Sequence, residues 1–388
     1  MDVDSVIEQL RTVASQANNE GRAKLLKAFA ELQPTLEGPK GLFMRLPSIR
    51  FLVPIIKLGQ DLNIFASLAQ SSPNPLSSRQ LAAKAPVSTA SPVLVLRITR
   101  HLASLFTVTQ TGPDAFTANP TTHVLATTGA DGAMDMLMAA RGEVADTIPA
   151  FFKKNGYQDV TDEAHTPFQM AFKTEKTWFQ HISDSPGLSQ SFYQLMLLLK
   201  EGDPWYKVFP FEKEIEGFRP ATVLVDVSGG VGQQCVDLIA GFPHLNLKGR
   251  LILQDLPEMI GSSVVRYEGV EVQARDLFTE QPVKGARFYY LRQILHNWPD
   301  DKCVEILKRL VEAFDDESQI LVDDIVLPDQ GASALATGYD ILMMTFMAAR
   351  ERTALDWNRI FDEAGLKILG THVYAPISMF AITQVGRK

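Results

Sequence analysis

From Ala221 to the end of the chain, short apolar runs alternate with stretches of helical periodicity, and this alternation constrains the fold more than any other feature. The runs are "ATVLVDV", "GRLILQDLP", "VEVQARDL", "ARFYYLRQIL" and "SQILVDDIVL". A strand with one wet face alternates apolar and polar residues, whereas a near-continuous apolar run needs cover on both faces. Such strands, separated by helices, predict a mostly parallel, doubly wound α/β sheet. Two later runs, "GLKILGTHVYAP" and "MFAITQVG", are joined too tightly for a helical crossover and predict an antiparallel pair at one edge.

The beginning of the chain is different. Val3, Ile7, Leu10 and Val13 recur at helical spacing, as do Leu25, Leu26, Phe29 and Leu32, and a longer apolar helix is expected from about Ile49 to Ala69. "PLSSRQLAAKAP" predicts a short helix capped by Ser77 or Ser78 and stopped by Pro86. Pro92 opens another helix, and "LFTVTQ" with "AFTAN" predicts a hairpin turned at Gly112, Pro113 and Asp114. In that order these elements resemble a winged-helix unit. A net charge of -8 over 388 residues argues against nucleic acid as the partner, because phosphate contact needs concentrated positive charge. So much apolar helix in a small domain predicts a homodimer interface instead.

Cys235 and Cys303 are the two cysteines, with no metal-ligand spacing and no disulfide framework. The acidic, amphipathic N-terminus is unlike a secretory signal, and Lys57, Asp61 and Asn63 interrupt the most apolar segment. A soluble, cytoplasmic protein without a metal site is the expectation.

"LVDVSGGVG" reads as a strand running into a glycine turn before a helix. Gly229, Gly230 and Gly232 permit a sharp turn and close approach of a ligand to the backbone. A glycine turn alone is weak, since a tight turn needs no ligand and the spacing fails the dinucleotide pattern G-x-G-x-x-G. Asp226 stands just before the glycines, and Asp255 closes the second strand, where an acid accepts both ribose hydroxyls of an adenosine. An acid beside the turn suits a ligand with a positive group, such as the amino-acid portion of S-adenosylmethionine. Asp276, after the third strand, is then placed to accept from the adenine amino group.

Taken in order, "LVDVSGGVG", "LQDLP", "RDLF", "YYLRQILHNWPDDKCVEIL", "DDIVLP" and "RERTALDWNRIFDEAGLK" resemble the successive motifs of the S-adenosylmethionine-dependent small-molecule O-methyltransferases. That family includes the plant caffeate and flavonoid enzymes and many fungal enzymes of secondary metabolism, and "GYQDVTDEAHTPFQMAF" is similar to the fungal branch. The resemblance covers roughly the whole chain and is strongest from Trp205 onward. It implies a Rossmann-like class I catalytic domain over 205–388, a helical, winged-helix-like dimerisation domain over 1–125, and a helical linker over 126–204 that contributes to the substrate pocket.

The same resemblance assigns roles. The acceptor phenol, with a pKa near 10, is activated by a base working near neutral pH, and histidine suits that task. His296 occupies the general-base position, flanked by Glu351 and by Asp324, which is shorter than the glutamate common there. For S-adenosylmethionine, and its product S-adenosylhomocysteine, the matched positions are Ser228, Gly229, Gly230, Asp255, Asp276, Leu277 and Arg292. Read without the resemblance, His296 is equally a histidine at the edge of a core, Glu351 an exposed helix charge and Arg292 a surface arginine. Ser228 replaces a usual glycine and is expected to keep a negative φ. Asn297 replaces a frequent aspartate, and Ala349 a usual glycine.

Phe192, Met196, Leu342, Met343, Phe346 and Met347 fall at helical spacing and offer an apolar pocket for a hydrophobic acceptor, or else simply core. Three other readings stay open. One is a methyltransferase-like cyclase or pericyclase in which the bound sulfonium acts as a fixed charge. The others are a ligand-sensing transcriptional regulator and a nicotinamide-dependent oxidoreductase.

Overall fold

In the computed structural model the described residues are 2–138, 142–199, 202–262 and 268–388. The chain divides into two compact units, one holding residues 30–151 and 170–200, the other 1–29, 152–169 and 201–388.

The first unit is helical. The apolar helix expected from Ile49 to Ala69 is two helices, Gly41–Asp61 and Ile64–Ser71. Asn63 breaks them apart with φ of 57°, a left-handed conformation that asparagine tolerates better than most side chains. Ser77 caps Ser78–Lys84 through a reciprocal box with Gln80, and Pro92 opens Pro92–Ser104 as predicted. The hairpin pairs β1 (Thr109–Gly112) with β2 (Ala115–Thr117). Its turn residue Asp114 accepts hydrogen bonds from the Ser78 backbone and hydroxyl at 2.8 and 3.0 Å, which ties the hairpin to the capped helix. Phe65, Leu68, Leu81, Val95, Leu102 and Phe116 form the core beneath.

In the second unit the predicted runs become β3 (Leu224–Val227), β4 (Leu251–Asp255), β5 (Val270–Ala274), β6 (Phe288–Arg292) and β7 (Gln319–Leu327). They lie parallel in the order β5-β4-β3-β6-β7. The two-residue β8 (Arg352–Thr353) pairs with the end of β7. The expected antiparallel pair is β9 (Leu366–Ala375) and β10 (Phe380–Arg387), with β10 against β7 and β9 at the edge. Successive residues belong to opposite cores. Val225, Tyr289 and Leu291 pack with Trp357 and Phe361, while Leu224, Phe288 and Tyr290 pack with Trp205 and Phe211. Cover on both faces is why β3, β6 and β7 carry apolar residues at successive positions, whereas the edge strand β5, with Glu271 and Gln273, is largely exposed.

From β3 the chain crosses first to β4 on one side and later to β6 on the other, so the order reverses between β3 and β6. A crevice opens at such a reversal, beyond the carboxyl ends of the strands. The Ser228 loop and the stretch from Arg292 to His296 leave β3 and β6 at those ends.

Candidate active site

The loop after β3 curls back on itself. Gly230 and Gly232 are left-handed, at φ of 61° and 76°, and so is Ser228 at 57°, against the expectation of a negative φ. The next residue's N–H must reach the Gln254 carbonyl on β4, at 3.2 Å, and the left-handed Ser228 accompanies that reversal. A short polar side chain tolerates the conformation at a cost of about 1–2 kcal/mol. Gly229 is demanded by crowding instead, since a Cβ there would lie 2.4–2.6 Å from the Asp226 carboxyl atoms.

Asp255 accepts from the Gly230 and Leu256 N–H groups, both at 2.7 Å, which fixes its carboxylate against the loop with further lone pairs to offer. Asp226 is buried, and its Oδ1 has no hydrogen-bond partner among the described residues. Burial, then the charge of Asp255, pushes its pKa up to about 7, while Arg292 opposes the shift.

Arg292 is not a surface arginine. It ends β6 in register with Asp323 of β7, with Nη1 3.6 Å from Asp323 Oδ2. Burial disfavours its charge, but Asp323, Tyr290 and Tyr374 together outweigh burial and hold its pKa above the usual arginine value. Asp323 also accepts from the hydroxyls of Tyr290 and Tyr374. Sequence reading missed Asp323, although a signal existed. Two adjacent acids in a strand covered on both faces point to opposite sides, and each needs either a partner of its own or a neutral carboxyl.

Asp276 lies exposed beyond β5 and accepts from the Phe278 N–H at 2.9 Å, with Leu277 half-buried beside it. Buried Arg275, also missed, donates to the carbonyls of Leu277, Thr279 and Glu280 and so sets the course of this loop.

His296 sits in the short 3-10 turn Leu295–Asn297. Left-handed Gln293, φ 53°, swings the chain out of β6, and the Asn297 amide donates to its carbonyl at 2.9 Å. Thus the asparagine that replaces a frequent aspartate holds the turn. His296 Nδ1 is 2.8 Å from Glu351 Oε1, and both side chains are buried. A carboxylate only accepts, so the shared proton belongs to Nδ1, and Nε2 is the basic nitrogen left over. Burial pulls the His296 pKa down, yet the charge and hydrogen bond of Glu351, aided by Asp324, leave it above 6.5.

Glu351 is brought there by the pairing of β8 with β7 and held by its own N–H donating to Asp340 at 2.9 Å. The residue that strains the preceding helix end is Ala348, left-handed at φ 52°, with Ala349 buried after it. Asp324 makes no hydrogen bond to His296. Both its oxygens lack partners among the described residues, and burial pushes its pKa up to about 8, with His296 opposing and Glu351 adding to the shift.

Leu342, Met343 and Phe346 lie on helix Ala334–Met347, which packs on the His296 turn. Met343 and Phe346 are buried, Phe346 stacking on Phe168 at 5.8 Å, and Met347 is at the edge of burial. Leu342 is half-buried. Phe192 and Met196 are half-buried on Pro186–Leu198, in the helical unit. A cleft of about 790 Å³ lined by Tyr206, Lys207, Phe242 and Arg250 lies at the amino end of β4, away from this chemistry.

Residues 155–367 match the model of the O-methyltransferase domain family. The chain belongs to that family. It is 34% identical to demethylsterigmatocystin 6-O-methyltransferase of Aspergillus flavus over 390 aligned residues, covering 100% of this chain and 99% of the relative. The solved structure of LepI in complex with S-adenosylmethionine superposes with a TM-score of 0.91 at 32% identity, over 100% of this chain and 99% of that one. A structure described as a pericyclic reaction enzyme matches with a TM-score of 0.90 at 32% identity, with the same coverage.

The enzyme is of the S-adenosylmethionine-dependent O-methyltransferase type, and S-adenosylmethionine is its cofactor. The residues present fit that molecule. A glycine loop that a Cβ would fill, a buried Asp226 oxygen with no partner among the described residues, and Asp255 at the end of β4 suit an adenosine carrying a cationic head group. No helix among the described residues is long and apolar enough to cross a membrane.

Proposed function

We propose that this enzyme methylates a phenol or enol hydroxyl of a small hydrophobic secondary metabolite, with His296 as general base. The observation that carries the reading is the buried 2.8 Å contact between His296 Nδ1 and Glu351 Oε1. When bound, S-adenosylmethionine supplies an electrophilic methyl group and a fixed positive charge. His296 Nε2 takes the proton of the acceptor hydroxyl, leaving the oxygen nucleophilic, and Glu351 fixes the ring and stabilises the imidazolium that forms. Asp324 lies buried near the ring without hydrogen-bonding to it, its carboxyl held neutral by burial.

On the cofactor side, Ser228, Gly229 and Gly230 form the cradle, Asp255 takes the ribose and Asp276 with Leu277 the adenine. Arg292, held by Asp323, balances the acids around the loop. Leu342, Met343 and Phe346 supply an apolar surface for the acceptor beside the His296 turn.

A second reading rests on the likeness to the pericyclic reaction enzyme. In it the bound cation acts electrostatically on a cyclisation and no methyl moves. Methyl-labelled S-adenosylmethionine, offered with a panel of phenolic and polyketide-type acceptors, separates the two. Label in a product, lost in His296→Ala, supports methyl transfer. Acceptors isomerised at constant mass in both proteins would replace that reading with the second.

The protein is further read as a cytoplasmic homodimer built on its helical beginning, residues 1–125. Support comes from Leu42, Phe43, Met44, Ile49 and Phe51, all exposed on Gly41–Asp61. Sedimentation at micromolar concentration is expected to give twice the chain mass, and a monomer there would remove this part of the reading.

A further inference from the structure

Arg352 is wholly buried and follows Glu351 directly. Its Nη1 donates to the Leu295 carbonyl at 3.0 Å and its Nη2 to the Trp298 carbonyl at 2.7 Å. Those two carbonyls bracket the turn that carries His296. Nε and Nη2 also donate to Asp300 Oδ1, at 2.9 and 2.8 Å, and the guanidinium lies 5.1 Å over the Trp357 ring. Asp300 is itself held through Oδ2 by Arg350, at 2.7 Å, and by Arg359. One dipeptide therefore grips the base twice, Glu351 by the ring and Arg352 by the backbone on either side of it.

The chemistry of the grip requires arginine. Three acceptors in fixed directions match a planar fork, whereas an ammonium is a point charge on a flexible stem. Lysine would keep the positive charge, which opposes the imidazolium, so the two side chains differ at this position chiefly in geometry.

We propose that Arg352, oriented by Asp300, is a positioning residue for the reaction: it fixes the His296 turn against Glu351 while touching no reacting atom. This rests on His296 being the base.

The test is Arg352→Lys, which keeps the buried cation and its place over Trp357 but loses the fork. The acceptor is whichever phenol of the panel takes up label fastest. Because misplacing a catalytic group by about 1 Å costs on the order of 100-fold, kcat is expected to fall 10–100-fold while both KM values change less than about twofold. The 15N signals of His296, followed in enzyme saturated with S-adenosylhomocysteine, should titrate at lower pH, because a loosened Glu351 contact supports the imidazolium less. In the His296→Ala background the same substitution should cost nothing more, since the two residues act as one unit.

Equal losses with and without His296, or an unmoved His296 titration, would overturn the proposal and leave the base in place. A fully active His296→Ala would remove the base itself, and the proposal with it. If Arg352→Lys does not fold, Asp300→Asn carries the same comparison.

Discussion

His296 Nδ1 and Glu351 Oε1 lie 2.8 Å apart although 55 residues separate them in the chain. The distance is set by backbone on both sides. β6 delivers the turn, and the short parallel pairing of Val326 with Arg352 delivers the acid. On the proposed reading this places the base before any acceptor arrives, which is the arrangement that makes proton removal effective.

His296→Ala is expected to leave the affinity for S-adenosylhomocysteine within about twofold and to cut methyl transfer 10²–10⁴-fold, the usual worth of a positioned base. Calorimetry measures the first and transfer of label the second. Full transfer by the variant would end the assignment.

The pH profile carries a sign. In the proposed reaction the working base is neutral His296, so the rate is expected to rise with pH through its pKa, which stands above 6.5. Glu351→Gln removes the charge that raises it, and the acidic limb of kcat should move to lower pH while the plateau falls. The stabilising pair obeys the same linkage. A raised histidine pKa contributes stability below pH 6.5 that is lost as pH rises through the folded value. Melting at acid pH should therefore suffer most in Glu351→Gln, and equal losses at pH 6 and pH 9 would contradict the pairing.

Asp324 makes the opposite demand on stability. Its folded pKa is about 8 against 3.8 for the free side chain, so it is neutral when folded and ionised when unfolded across that interval. Stability then falls as pH rises from 3.8 to about 8, by at most about 1.4 kcal/mol per pH unit. Asp324→Asn keeps the shape and removes the titration. Its melting temperature should gain on the parent protein steadily between pH 5 and pH 8. Parallel curves would show that Asp324 is not held neutral.

The glycine loop separates two kinds of constraint. Gly229→Ala drives a Cβ to within 2.6 Å of the Asp226 carboxyl, which must move. Cofactor affinity should drop at least tenfold, about 1.4 kcal/mol. Ser228→Gly relieves a left-handed serine and should stabilise the fold by up to about 1 kcal/mol with affinity retained. A stabilised Gly229→Ala that binds normally would show the loop to be indifferent to Asp226.

Much of this was legible in the linear chain. Apolar runs covered on both faces dictated a parallel sheet, and the tight link before β10 dictated its antiparallel edge, because burial and connection length are local properties of the residues. A helix cap at Ser77 or Ser78 and the hairpin at Asp114 followed from short-range hydrogen bonding in the same way, and the structure chose Ser77. His296, Glu351 and Asp255 were legible through motif resemblance. The tertiary structure decided everything that depends on which side of a strand a residue faces and what stands opposite. Adjacent acids 323 and 324 diverged, Asp323 serving Arg292 and two tyrosines while the Asp324 carboxyl was left without a hydrogen-bond partner among the described residues. Ser228 took the left-handed turn that the loop's bond to β4 accompanies, and Arg352 closed on the His296 turn from 57 residues away. Periodicity specifies a residue's face, but a partner is supplied by another strand, and only the register between strands says which one.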